Sequence, residues 1–177
     1  MGIYEQAIFS ERLRAREVPE WCEFLRLWAA FNCIYGDEAG GPERDRVMRS
    51  VRRNLSHTTA QELIDRTSSA ALEIVKTPPG DMRRDRSDPQ FREQTKRCAS
   101  IYQDSTKSGT ERLAGLMAVI YQVRCNLLHG DKDPDDSRDM RLVRSSNAIL
   151  QQVLPGLENG IKTTASSVRC APARDSG

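Results

Sequence analysis

The chain has 177 residues, 38% of them hydrophobic and 29% charged, which is enough for one domain with a real core. Its net charge of +2 says little about partners, and no apolar run approaches the length of a membrane span. Five cysteines (22, 33, 98, 125 and 170), no Cys-x-x-Cys and only His57 and His129 argue against a disulfide framework and a structural zinc site.

The N-terminus has no basic stretch followed by an apolar one, so no secretory signal is expected. The cysteine usage suits a reducing cytoplasm, with Cys22 and Cys33 serving as small hydrophobes inside an apolar helix. Apolar residues recur at three and four nearly everywhere, and no hairpin turn separates alternating runs. The expectation is an all-α domain over residues 1–158.

In chain order, a first helix is expected over Tyr4 to Arg16. A second starts at Pro19 and ends at Gly36. Its stripe, Trp21, Phe24, Leu25, Trp28, Phe31 and Tyr35, is the strongest periodic signal and reads as the central core helix; Asn32 lies on its edge, where it could face a cleft. A third helix spans Glu43 to Leu55. A fourth runs from a Thr59–Glu62 capping box to Lys76. Residues 77–89, with Pro78-Pro79-Gly80 and many charges, read as a mobile loop. Helices follow over Gln90 to Asp104 and, capped by Thr110, over Thr110 to His129. Gly130 stops the latter, and residues 131–134 turn the chain. Asp135 or Asp136 caps a last helix that buries Met140, Val143, Leu150, Leu154 and Leu157, with Asn147 setting register. Residues 159–177 are polar and small and read as a disordered tail.

Arginines crowd two segments: Arg44, Arg46, Arg49, Arg52 and Arg53, then Arg83, Arg84, Arg86, Arg92 and Arg97 with Lys96. Interspersed acids leave two readings open, solvated helix faces or a phosphate-attracting surface.

The chemistry concentrates in Arg124-Cys125-Asn126-Leu127-Leu128-His129-Gly130, at the end of the apolar repeat Leu113, Leu116, Met117, Ile120. Arg124 follows Ile120 by one helical turn, on the buried side. A guanidinium there must be paired or must line a cleft that an anion can reach. An imidazole at the helix C-terminus can move protons, and the helix dipole favours its charged form. A phosphate-binding cation beside such an imidazole is the minimum for cutting RNA without a metal. Asn126, three residues before His129, could orient it or bind the ribose. On an ideal helix Arg124 and His129 lie about 140° apart, so the helix alone does not join them. One Arg and one His do not make both an acid and a base; two copies at a two-fold axis would. Against this stand a pairing of Arg124 with a buried carboxylate and an inert His129 at a helix end.

Arg-Cys-Asn-Leu-Leu-His-Gly-Asp-Lys over residues 124–132 resembles the Arg-x4-6-His signature of the HEPN (higher eukaryotes and prokaryotes nucleotide-binding) superfamily. Phe24-Leu25-Arg26-Leu27-Trp28-Ala29-Ala30-Phe31-Asn32 resembles an early helix of one branch. The likeness covers two blocks, roughly 20–36 and 112–157. It implies an up-and-down helical bundle with a four-helix core and extra helices, dimeric, and a metal-independent endoribonuclease with no cofactor, in toxin–antitoxin or defence systems. An antitoxin or a nucleotidyltransferase partner is also implied. Arg124 and His129 match the catalytic pair, with Asn126 as the polar companion; Cys125 departs from the Asn, Asp or His usual in its slot. The alternative is a non-catalytic module of the same fold that binds nucleic acid, nucleotide or a protein partner.

Overall fold

The computed structural model describes residues 18–36, 38–129 and 135–169. The helix expected over Tyr4 to Arg16, the stop at Gly130, the turn at 131–134 and the last eight residues lie outside them. The described residues form an all-α bundle of six α-helices and one short 3-10 turn. They are α1 (Pro19–Tyr35), α2 (Glu43–Asn54), α3 (His57–Val75), α4 (Glu93–Gln103), α5 (Gly109–Leu128) and α6 (Ser137–Arg169), with the 3-10 turn at Pro89–Phe91.

The centre of the molecule is α5, not α1. Helix α5 packs on α2, α3 and α4, while α6 packs on α1 and α3. Leu113, Leu116, Met117, Ile120 and Leu127 of α5 are fully buried, and so are Ala114, Ala118, Val119 and Val123 between them. A helix buried on nearly every side shows little amphipathic signal, so the strongest stripe marks a helix at the edge of the core. Helix α1 buries Trp21, Phe24, Leu27, Trp28, Phe31 and Tyr35. Leu25, expected on the stripe, is only partly buried against this core. Trp28 meets Phe31 edge-on at 5.2 Å between ring centroids. Burying each such ring contributes about 1.5–3 kcal/mol. Cys22 and Cys33, expected inside the apolar helix, are exposed. Asn32 is exposed as well.

Three helix starts differ from the sequence expectation, and one of them is α4, which begins at Glu93 after the 3-10 turn and not at Gln90. The cap of α3 is Ser56, whose Oγ accepts the Thr59 N–H at 3.1 Å. Helix α5 is capped by Ser108 in a reciprocal box with Glu111, not by Thr110. The starts of α3 and α5 are locked together, because the Gly109 N–H donates to His57 Nδ1 at 2.9 Å. His57 thereby satisfies one of the backbone donors that a helix start leaves free.

Asp136 caps α6, its Oδ1 accepting the Asp139 N–H at 3.0 Å. Asn147 donates to the Glu20 carbonyl at 2.8 Å, which fixes α6 against α1. Helix α6 does not end at residue 158; it continues to Arg169. Pro155-Gly156 and Asn159-Gly160 look like breakers, yet both glycines lie where α6 crosses its neighbours closely. A Cβ on Gly156 would meet Leu63 at 3.2 Å, and one on Gly160 would overlap the Asn54 carbonyl.

Candidate active site

Helix α5 delivers all three residues singled out by the sequence, but into three different environments. Arg124 is half-buried, with its side chain 26% exposed. Asn126 is 2% exposed. His129 is the exposed C-cap of the helix. Within one copy of the chain the motif residues are neighbours along the helix, and among the described residues no hydrogen bond or ion pair joins the guanidinium to the imidazole.

Arg124 points toward α2. Its Nη1 lies 3.5 Å from Glu43 Oε2, and its Nε is buried with no hydrogen-bond partner. Glu43 opens α2 and collects donors from two other helices. Tyr35 donates to Oε1 at 2.6 Å, and Tyr121 donates to Oε2 at 3.3 Å. Trp28 in turn donates to the Tyr35 oxygen at 3.2 Å. Burial first, and then the Glu43 carboxylate, push the Tyr35 phenol well above its usual range. Burial and the neighbouring Cys125 thiol do the same to Tyr121. Both phenols therefore stay protonated as donors. Sequence reasoning missed Glu43, because a carboxylate at a helix start reads as a favourable dipole partner and carries no sign of its distant guanidinium.

A charge-assisted Arg–carboxylate pair at full strength runs at about 2.7–2.9 Å and is often bidentate. The Arg124–Glu43 contact is a single one at 3.5 Å, and Glu43's shortest bond is to Tyr35. Arg124 is therefore steered by Glu43 without being saturated by it.

The Asn126 amide is spent on the loop before Phe91 and on Gln122. Its Nδ2 donates to the Gly80 carbonyl at 2.8 Å. Its Oδ1 accepts from Gln122 Nε2 at 2.9 Å and, at 3.5 Å, from the Met82 N–H. Gln122 Oε1 in turn accepts from Arg44 at 2.6 Å. This buried polar line runs from α2 through α5 to the 77–92 segment. Residues 77–89, read from the sequence as a mobile loop, are thus docked on the bundle. Thr95 Oγ1 holds the Pro79 carbonyl at 2.7 Å, and the Asp81 N–H donates to the Phe91 carbonyl at 2.7 Å. Gly80 lies so close to the Phe91 ring that a Cβ there would overlap it. Cys125 is buried and lies beside Tyr121.

Much of the arginine crowding is structural. Arg44 is 6% exposed and lies over the Tyr121 ring at 5.4 Å. Arg53 pairs with the buried Glu38 at 2.9 Å, and Arg49 bonds the Ala39 and Gly40 carbonyls. Among the described residues, no group of three or more His, Cys, Asp or Glu is placed to hold a metal ion. No described helix is long and apolar enough to cross a membrane.

Comparison of the chain with protein-family models, with curated proteins and with solved structures finds no match. The all-α bundle and the local chemistry are thus what any functional reading rests on.

Proposed function

We propose that the chain is a metal-independent, HEPN-type endoribonuclease that works as a homodimer. One observation carries the reading. Arg124 and His129 sit on the last turns of one helix, the first held by a long contact that a phosphate could replace, the second exposed.

In the reaction, a ribose 2′-oxygen attacks the adjacent phosphorus and loses its proton to a neutral imidazole. The P–O5′ bond breaks, and a protonated imidazole gives the departing 5′-oxygen its proton. The products carry a 2′,3′-cyclic phosphate and a 5′-hydroxyl. Arg124 holds the phosphate and stabilises the charge that grows on it. Base and acid are the two His129 side chains of a dimer, since one imidazole does not fill both roles in one turnover.

The test is cleavage of a mixed-sequence RNA by the purified chain in EDTA. Wild type cuts and leaves cyclic-phosphate ends, while His129→Ala abolishes cutting with an unchanged circular dichroism spectrum, because the residue is exposed. Undiminished cutting by His129→Ala, or loss of wild-type cutting in EDTA, refutes the assignment. The Arg124–Glu43 contact favours a second reading, a non-catalytic module of the same fold that binds nucleic acid, nucleotide or a protein partner. That reading is supported if wild type binds RNA and leaves it intact.

A further inference from the structure

We propose that the 77–92 loop is part of the active site, and that Arg83 is a second phosphate-binding guanidinium that grips a single RNA strand beside the phosphate held by Arg124. The inference rests on the ribonuclease reading for the identity of the strand.

The docking of the loop carries the argument. Asn126 holds both the Gly80 carbonyl and the Met82 N–H, so residue 83 is delivered next to α5 at the level of the motif. An amide buried to 2% and spent on a surface loop has a purpose if the loop's position matters. Tyr121 and Cys125 lie within electrostatic range of the Arg83 guanidinium. Tyr121 also donates to Glu43, the carboxylate that Arg124 contacts.

The guanidinium of Arg83 is preorganised. Its Nε and Nη2 donate to the two oxygens of Asp81, each at 2.9 Å. Among the described residues its Nη1 has no acceptor, and the side chain is 58% exposed. A fork already held on one edge loses little freedom when its other edge takes a phosphate oxygen. Neighbouring cations are differently engaged. Arg84 is divided between Asp81 and Asp88, and Arg92 lies over the Phe91 ring. Arg86 is exposed in the same loop and provides a matched control for charge alone.

The experiment measures binding of a 2′-O-methyl oligouridine, which lacks the attacking hydroxyl, across a range of salt concentrations. Arg83→Ala is expected to weaken binding roughly tenfold and to reduce the salt slope by about 0.7, the value for one single-strand phosphate contact. Arg86→Ala stays within about threefold of wild type, and Arg83→Lys recovers part of the loss. Equal affinities and slopes for wild type, Arg83→Ala and Arg86→Ala overturn the proposal, even if the wild type cleaves unmodified RNA. Should wild type bind without cleaving while Arg83→Ala binds weakly, the Arg83 contact stands and the ribonuclease reading falls. Absence of wild-type binding at low salt overturns both.

Discussion

Two phenols and a guanidinium converge on the Glu43 carboxylate, and each would be left short of an acceptor if its charge were removed. Glu43→Gln keeps the shape and offers one oxygen where there were two. Arg124 would then stay half-buried with no opposite charge. The expected loss is about 1–2 kcal/mol of stability, less than for a fully buried pair because both side chains are partly wet. A urea unfolding midpoint measures it; an unchanged midpoint would mean that the three donors are satisfied by water. The phenols add a pH signature. Their folded pKa values lie above the unfolded value of about 10. Their contribution is fully present below that pH and is lost as pH climbs from there toward the folded values. Stability should therefore fall above about pH 10, with phenolate absorbance and loss of helix rising together. Ionisation of more than two of the chain's four tyrosines ahead of unfolding would contradict the burial of Tyr35 and Tyr121. The sequence did disclose that Arg124 needs either a partner or a cleft. It did not disclose the partner, because the pairing is made by α2 and α5 meeting in space.

At the scale of elements, helices were more legible than what joins them. Periodicity locates α1 and α2 to within a residue, because their boundaries follow from Pro19, Gly36 and Pro42. The start of α5 was legible too, since Ser108 and Glu111 are spaced as a capping box, but Thr110 drew the expectation away. Residues 77–89 read as a mobile loop for a physical reason. Proline, glycine and charge identify irregular backbone, whereas docking depends on acceptors and donors supplied from elsewhere. Asn126 supplies them, and its presence in an apolar helix was the available sign. Asn126→Ala removes the bonds to Gly80, Met82 and Gln122 and leaves their buried groups unpaired. The expected cost is about 1–3 kcal/mol. Faster proteolytic nicking within 77–92 should accompany it, read by mass spectrometry of a limited digest. A digest pattern identical to wild type would show that Thr95 and Phe91 hold the loop without Asn126.

For the molecule as a whole, the largest departure from the sequence expectation is the length of α6. Composition past residue 158 is that of a tail, and Asn159-Gly160 is a common way to end a helix. The same glycine is what lets α6 continue, because its backbone passes the end of α2 with no room for a side chain. The two accounts predict opposite signs for one substitution. In a free or frayed helix, Gly160→Ala raises stability or leaves it unchanged, since alanine is favoured in helices by about 0.5–1 kcal/mol. In the packed geometry a methyl meets the Asn54 carbonyl, and backbone cannot step aside as a flexible side chain can. Overpacking of this kind costs about 1–3 kcal/mol, which exceeds the propensity gain. A net loss of about 1–2 kcal/mol in urea unfolding, with α6 still helical, is therefore expected. A midpoint that rises on substitution would return residues 159–169 to the tail and confine the bundle to the portion before them.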